Sequence, residues 1–170
     1  MITYELDGKL YINMTNRCTN NCSFCIREKP NKFEYKLWLD KEPEVHEIIN
    51  EIGDADEYDE VVFCGFGEPM TRLPELLEVA GYLKKLNKKV RVNTNGQADL
   101  IWNKKVAPEL EGLVDSISIS LNAGSAEHYQ KLCSSEFGEG AYKAIIEFAE
   151  ECKKYVPEVI MSVVDCIPEE

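Results

Sequence analysis

Lys9-Leu10-Tyr11-Ile12-Asn13-Met14, followed by Thr15-Asn16-Arg17-Cys18-Thr19-Asn20-Asn21-Cys22-Ser23-Phe24-Cys25, is the stretch that decides the fold. The first six residues form an apolar-rich run of strand length. The residues after them place three thiols within eight positions, on the loop that leaves the strand's C-terminal end.

Outward from this stretch, runs of strand length alternate with segments of helical period, the pattern of βα units wound into a parallel sheet. A helix is expected to begin near Pro43, a residue suited to the first helical position, and to bury Val45, Ile48, Ile49 and Ile52. A second strand, Glu60 to Cys64, stops at Gly65-Phe66-Gly67-Glu68-Pro69, and a helix from about Pro74 turns Leu76, Leu77, Ala80 and Leu83 inward. A third strand, Lys89 to Asn93, leads into Thr94-Asn95-Gly96, and a fourth, Asp115 to Leu121, leads into Asn122-Ala123-Gly124. A long helix from about Gly140 presents Ile145, Ile146, Phe148, Ala149 and Cys152, and the fifth strand spans Val159 to Val164. Five such units predict an α/β fold, an open or partial (β/α) barrel whose chemistry belongs at the C-terminal ends of the strands. Every polar motif of the chain falls there.

The composition agrees with a single domain: 170 residues, 44% hydrophobic and 29% charged, suffice to bury a core. No window approaches 18 consecutive apolar residues, and the N-terminus lacks the layout of a signal peptide, so a cytoplasmic protein with no membrane partner is expected. A reducing compartment disfavours disulfides and leaves metal binding or redox chemistry for clustered thiols among the seven cysteines. The balance of 31 acidic against 19 basic residues, a net −12, argues against nucleic-acid binding. Lys84, Lys85, Lys88, Lys89 and Arg91 read as a solvated helix end whose cations suit the negative dipole terminus. The chain closes on Ile167-Pro168-Glu169-Glu170, which resembles the first turn of another helix. Residues 1–170 are therefore expected to form one core domain lacking a final helix and strand.

Cys18, Cys22 and Cys25 offer soft thiolate donors suited to an iron–sulfur cluster or to zinc, and softness alone does not choose. A structural zinc site normally closes with four ligands, and no second Cys-x-x-Cys or nearby His completes one here. His46 and His128 stand alone and read as surface or core-edge residues. Three ligands on a four-iron cluster leave one iron open to a small molecule. Ser118, Ser120 and Asn122 share one face of the fourth strand. Cys64, Cys133, Cys152 and Cys166 are widely spaced and read as buried structural thiols, with Cys64 set apart by its place beside the glycine turn.

Cys18-x3-Cys22-x-Phe24-Cys25 after a first strand resembles the signature of the radical S-adenosylmethionine (radical SAM) superfamily, matched at all four defined positions including the aromatic Phe24. The resemblance implies a redox-active 4Fe-4S cluster on the three cysteines, with its open iron chelated by the amino and carboxylate groups of S-adenosylmethionine. It also implies an oxidoreductase reaction: cleavage of the cofactor to a 5′-deoxyadenosyl radical that abstracts hydrogen from a substrate the sequence does not identify. Gly65-Phe66-Gly67-Glu68-Pro69 resembles the family's Gly-Gly-Glu motif, with Phe66 at the commoner glycine's position. That match implies that Gly65 and Gly67 let the backbone approach the methionine moiety, and that Glu68 lies near its amino group. Asn93-Thr94-Asn95-Gly96 resembles the third-strand segment of glycyl-radical-enzyme activases, which implies a pocket-lining role for Asn93 and Asn95, although an Asn-Gly turn alone has the same appearance. Ser118, Ser120 and Asn122 fall at a fourth-strand position where the family hydrogen-bonds ribose or carboxylate. Polar residues satisfied within a barrel interior would look alike.

The whole chain is similar to the small radical SAM proteins associated with TatD-type metal hydrolases. The similarity is carried by residues 11–18 and 24–27, Trp38-Leu39 with Glu42-Pro43, and residues 61–69, 107–113 and 116–122. It implies six βα units in the complete protein, an external one-electron donor such as flavodoxin or ferredoxin, and a TatD-type hydrolase as partner. Two alternatives stand beside it: an activase of a glycyl-radical partner enzyme, and a non-catalytic metal-binding or interaction module.

Overall fold

The computed structural model describes residues 1–28 and 35–164. Its six strands make one sheet in chain order: β1 (Thr3–Leu6), β2 (Lys9–Ile12), β3 (Glu60–Phe63), β4 (Lys89–Thr94), β5 (Ser116–Ser120) and β6 (Glu158–Ser162). β1 is antiparallel to β2, and β2 to β6 are mutually parallel. The helices are α1 (Val45–Ile52), α2 (Leu73–Lys85), α3 (Ala98–Trp102), α4 (Ala126–Cys133) and α5 (Gly140–Cys152).

The five parallel strands and α1, α2 and α5 fall where the sequence places them, within about two residues at their ends. Met14, Cys64, Leu121 and Val164 lie past the ladder, in the loops. The expected first strand is the second: β1 precedes it through Asp7-Gly8, both at positive φ (50° and 69°), the geometry of a tight type I′ hairpin. Pro43 sits just outside α1 rather than in its first turn. The helix is started by Glu44 and Glu47 as a reciprocal cap, with the Glu44 N–H donating to Glu47 Oε2 at 2.9 Å. Residues 165–170, with Cys166 and the Pro168-Glu169-Glu170 turn, lie outside the described residues.

Side-chain alternation gives the sheet two different faces. Leu10, Ile12, Val61, Phe63, Val90, Val92, Ile117 and Ile119 join Ile48, Leu76, Val79, Leu83, Ile145 and Phe148 in one core cluster beneath the helices. Each fully buried side chain of this size contributes about 1.5–3 kcal/mol. The opposite, concave face is polar: Tyr11, Val62, Arg91 and Ser116 stand in one row across four strands, and Asn93 pairs with Ser118 one step nearer the strand ends. The basic run 84–91 is therefore not one solvated helix end. Lys84 and Lys85 close α2, with Lys84 Nζ 2.8 Å from each oxygen of Asp115, while strand alternation carries Arg91 onto the concave face. Among the described residues, no helix is long and apolar enough to cross a membrane.

Candidate cofactor site at the strand ends

The loop carrying the three cysteines is pinned along its length. At its root, Asn13 Nδ2 donates to the Met1 and Leu37 carbonyls at 3.0 and 2.6 Å, and Asn13 Oδ1 accepts from the Phe66 N–H. Glu42 accepts from the Thr15 hydroxyl and from Arg17 Nε, at 2.5 and 2.7 Å. Arg27 donates to the Asn16 and Asn20 carbonyls, bracing the loop from its far end. The Asn21 and Ser23 N–H groups donate to the Cys133 and Leu132 carbonyls, both at 2.9 Å. Those carbonyls lie in the last turn of α4, where a helix leaves its acceptors unpaired. Cys18, Cys22 and Cys25 remain half-exposed, and Phe24 packs its ring against the core.

Beneath the loop lies a buried polar network that sequence reading does not reveal. The Thr19 hydroxyl donates to Gln97 Oε1 at 2.7 Å, and Gln97 Nε2 donates to Asn20 Oδ1 and to the Tyr129 hydroxyl oxygen at 2.8 and 2.9 Å. Asn20 Nδ2 donates to the same Tyr129 oxygen, and the Ser135 hydroxyl donates to Gln97 Oε1. Each such bond contributes about 1 kcal/mol, and orphaning one partner costs more than the bond is worth. The only hint in the sequence was a pair of small polar residues, Thr19 and Asn20, inside the cysteine motif.

The glycine turn passes directly over this loop. A β-carbon on Gly65 would lie 2.0 Å from Asn13 Oδ1, and one on Gly67 would lie 2.4 and 2.5 Å from the Thr15 and Arg17 carbonyl oxygens. The Glu68 N–H donates to the Arg17 carbonyl at 2.7 Å. The Glu68 carboxyl is 3% exposed and takes three donors: Met70 N–H and the Thr94 hydroxyl on Oε1, and Asn95 N–H on Oε2. Burial still pushes its pKa up to about 7. Asn95 is more than a turn residue, because its Nδ2 donates to Thr19 Oγ1 at 2.9 Å and lies 4.0 Å from Cys18 Sγ.

Two of the motif's thiols, Cys18 and Cys22, are pushed toward their protonated form. Burial, with the charge of Glu68 second, pushes Cys18 up to about 11. Cys22 is raised by hydrogen bonding to the Cys133 thiol and then by burial. Cys133 is fully buried under the loop and also accepts from Asn122 Nδ2 at 3.7 Å, so it is a buried thiol in contact with the motif. Asn122 takes a left-handed φ of 60°, and its Oδ1 is buried without a hydrogen-bond partner.

Cys18, Cys22, Cys25, Gly65, Gly67, Glu68, Asn95 and Asn122 thus meet at the strand ends. Asn93, Ser118 and Ser120 continue from there down the concave face. Cys64 is half-exposed after β3, Cys152 is buried on α5, and His46 and His128 are exposed. A cavity of about 380 Å³, lined by Arg17, Cys18, Thr19, Thr71, Ile101 and Glu136, opens beside the first cysteine.

The loop suits a multinuclear cluster. Its three cysteines are soft donors on one braced loop, and a cluster takes its thiolates on separate iron atoms. Asn122, whose Nδ2 donates to Cys133 Sγ, leaves its buried Oδ1 as an acceptor without a partner.

A parallel partial barrel with a braced cysteine triad at its strand ends defines a class of cluster-binding proteins, and comparison with known proteins gives the family. The model of the radical SAM superfamily matches residues 12–170, and the chain belongs to that superfamily, whose members use a 4Fe-4S cluster and S-adenosylmethionine. It is 24% identical over 153 residues to an uncharacterised protein of Methanocaldococcus jannaschii, covering 89% of this chain and 46% of that one. It is 27% identical over 142 residues to a protein of the same organism named, provisionally, as a glycyl-radical enzyme activating enzyme, covering 81% of this chain and 53% of that one. The fold is similar to that of TYW1 solved with a lysine-pyruvate adduct bound, with a TM-score of 0.61 at 17% identity, over 94% of this chain and 56% of that one. The chain spans about half the length of these proteins.

Proposed function

We propose that this chain is the core of a radical SAM enzyme that abstracts hydrogen from a small-molecule or protein substrate. The observation carrying this reading is the braced triad Cys18, Cys22 and Cys25 facing Glu68, Asn95 and the orphaned Asn122 Oδ1. When bound, the cluster and S-adenosylmethionine supply reductive cleavage of a carbon–sulfur bond to give a 5′-deoxyadenosyl radical. The protein's part is to hold and orient them. The three cysteines take the cluster after giving up their protons, and Phe24 fixes the loop against the core. Glu68 uses three of a carboxylate's roughly four acceptor sites within the protein, leaving one to take an amino group. Asn122 Oδ1 accepts a hydroxyl or amino donor. Asn93, Asn95, Ser118 and Ser120 line the way from the strand ends into the concave face.

The reading includes a cytoplasmic setting, a one-electron donor such as flavodoxin or ferredoxin, and a last helix and strand beyond residue 170. Association with a TatD-type hydrolase rests on the sequence stretches alone, Trp38-Leu39 and Glu42-Pro43 among them. A second reading, activation of a glycyl-radical partner, is supported by the provisionally named relative and by Asn93-Thr94-Asn95-Gly96. In that case a glycyl radical signal should arise on a co-incubated partner.

Anaerobically reconstituted protein should hold iron and acid-labile sulfide in equal amounts, and the paramagnetic resonance spectrum of its reduced cluster should change when S-adenosylmethionine is added. Stoichiometric zinc with no iron or sulfide would instead support the non-catalytic metal-binding module.

A further inference from the structure

The concave face carries a cation that the cofactor site leaves unused. Arg91 runs its side chain along β4 toward the strand's C-terminal end, where Nε donates to Asn93 Oδ1 at 2.9 Å. Among the described residues, the guanidinium makes no ion pair and its two terminal nitrogens make no hydrogen bond. On the neighbouring strand Ser116 stands directly opposite Arg91, 5% exposed, with its hydroxyl buried and unpartnered. On the other side lie Val62 and then Tyr11 in the same row. Of the acidic residues on this face, Glu60 pairs with Lys9 at the rim, and Glu158, exposed to solvent, stands opposite Ser116 at the start of β6.

A half-buried guanidinium without a carboxylate, in a chain of net charge −12, and a buried hydroxyl without a partner are two unmet demands on the same face of neighbouring strands. One oxyanion meets both. Arginine's planar fork offers parallel N–H donors to two oxygens of a carboxylate or phosphate, and the serine adds an O–H donor. We propose that Arg91 and Ser116 form an anion-binding site on the concave face that anchors the carboxylate or phosphate of the substrate. The guanidinium lies at the level of Asn93, about 7 Å down the strand from Asn95 beside the first cysteine. A small molecule held by its anionic end therefore presents its other end to the cofactor site. Assigning the anion to the substrate rests on the radical SAM reading, whereas anion binding itself does not.

The test is a titration of ¹⁵N-labelled, anaerobically purified full chain with inorganic phosphate, and separately acetate, at constant ionic strength. The Arg91 Nε–H and Ser116 amide signals should shift saturably with at least one of the two. R91Q should weaken binding tenfold or more, read at the Ser116 amide, and S116A by a few fold, read at Arg91. If R91Q does not fold, R91K serves, because it keeps the charge and stem but loses the fork and should also weaken binding. No saturable shift with either anion, or an unchanged Ser116 titration in the arginine variants, overturns the site. Saturable binding by protein that releases no 5′-deoxyadenosine overturns the substrate assignment alone and leaves the anion site standing.

Discussion

Gly67 has a backbone carbonyl on each side of the place a β-carbon would occupy, and neither Thr15 O at 2.4 Å nor Arg17 O at 2.5 Å is free to rotate away. Gly67→Ala should therefore cost about 3 kcal/mol or more in denaturant unfolding and lower iron retention, because it pushes the cysteine loop off its track. Gly124→Ala, where nothing lies within 4 Å, is the control and should cost under about 1 kcal/mol. Glu68 makes a prediction in pH. Its pKa is about 7 in the fold against 4.5 in the unfolded chain, so between those values the folded state binds more protons. This group's contribution is then fullest below about pH 4.5 and is lost as pH rises through 7, by roughly 3 kcal/mol. Urea midpoints of cluster-free protein across that window should show this decline, and Glu68→Gln should flatten it.

At this scale the sequence displayed the cysteines, the glycines and Glu68, because spacing is what a sequence records. It did not display why Gly65 and Gly67 lack side chains: the groups crowding them are Asn13 and the Thr15 and Arg17 carbonyls. Nor did it display the partners of Thr19 and Asn95, since Thr19 meets Gln97 across 78 positions and Asn95 meets Thr19 across 76.

Among the elements, Arg72 is the joint. It is 5% exposed, its Nη1 donates to the Met14 and Pro43 carbonyls at 2.9 and 2.8 Å, and its Nη2 reaches Glu75 at 3.1 Å, tying the exit of β2 and the approach to α1 onto α2. Arg72→Ala orphans two buried carbonyls and a carboxylate, and should cost about 3–5 kcal/mol by chemical denaturation. Gln97, at the start of α3, links the cysteine loop to α4 through Tyr129. Gln97→Ala should cost about 2–3 kcal/mol and lower iron and sulfide content at unchanged Cys18, Cys22 and Cys25. Helices α1, α2 and α5 were legible because their apolar residues recur at helical spacing. α3 was not, being five residues long, and α4, as long as α1, carries the mostly polar run Glu127-His128-Tyr129-Gln130-Lys131, which shows little apolar period. β1 was announced only by Asp7-Gly8, since a four-residue strand offers little pattern of its own.

As a whole, the molecule is a parallel sheet with its helices on one face, which leaves the other face free to carry chemistry instead of core. That division follows from strand alternation and was legible in Ser118 and Ser120, whereas Asn122, expected on the same strand face, lies past β5 with a left-handed φ. The membership of Arg91 in the concave row was not, because its neighbours Lys88 and Lys89 disguised it as part of a basic run. The claim that joins these scales is that the braced cysteine loop is a working redox centre. The most direct measurement is 5′-deoxyadenosine released from S-adenosylmethionine by the anaerobically reconstituted, dithionite-reduced chain, set against Cys18→Ala prepared in the same way. The account expects product in the first and none above background in the second. Equal yields, or no product from a chain carrying its full complement of iron and sulfide, would contradict it.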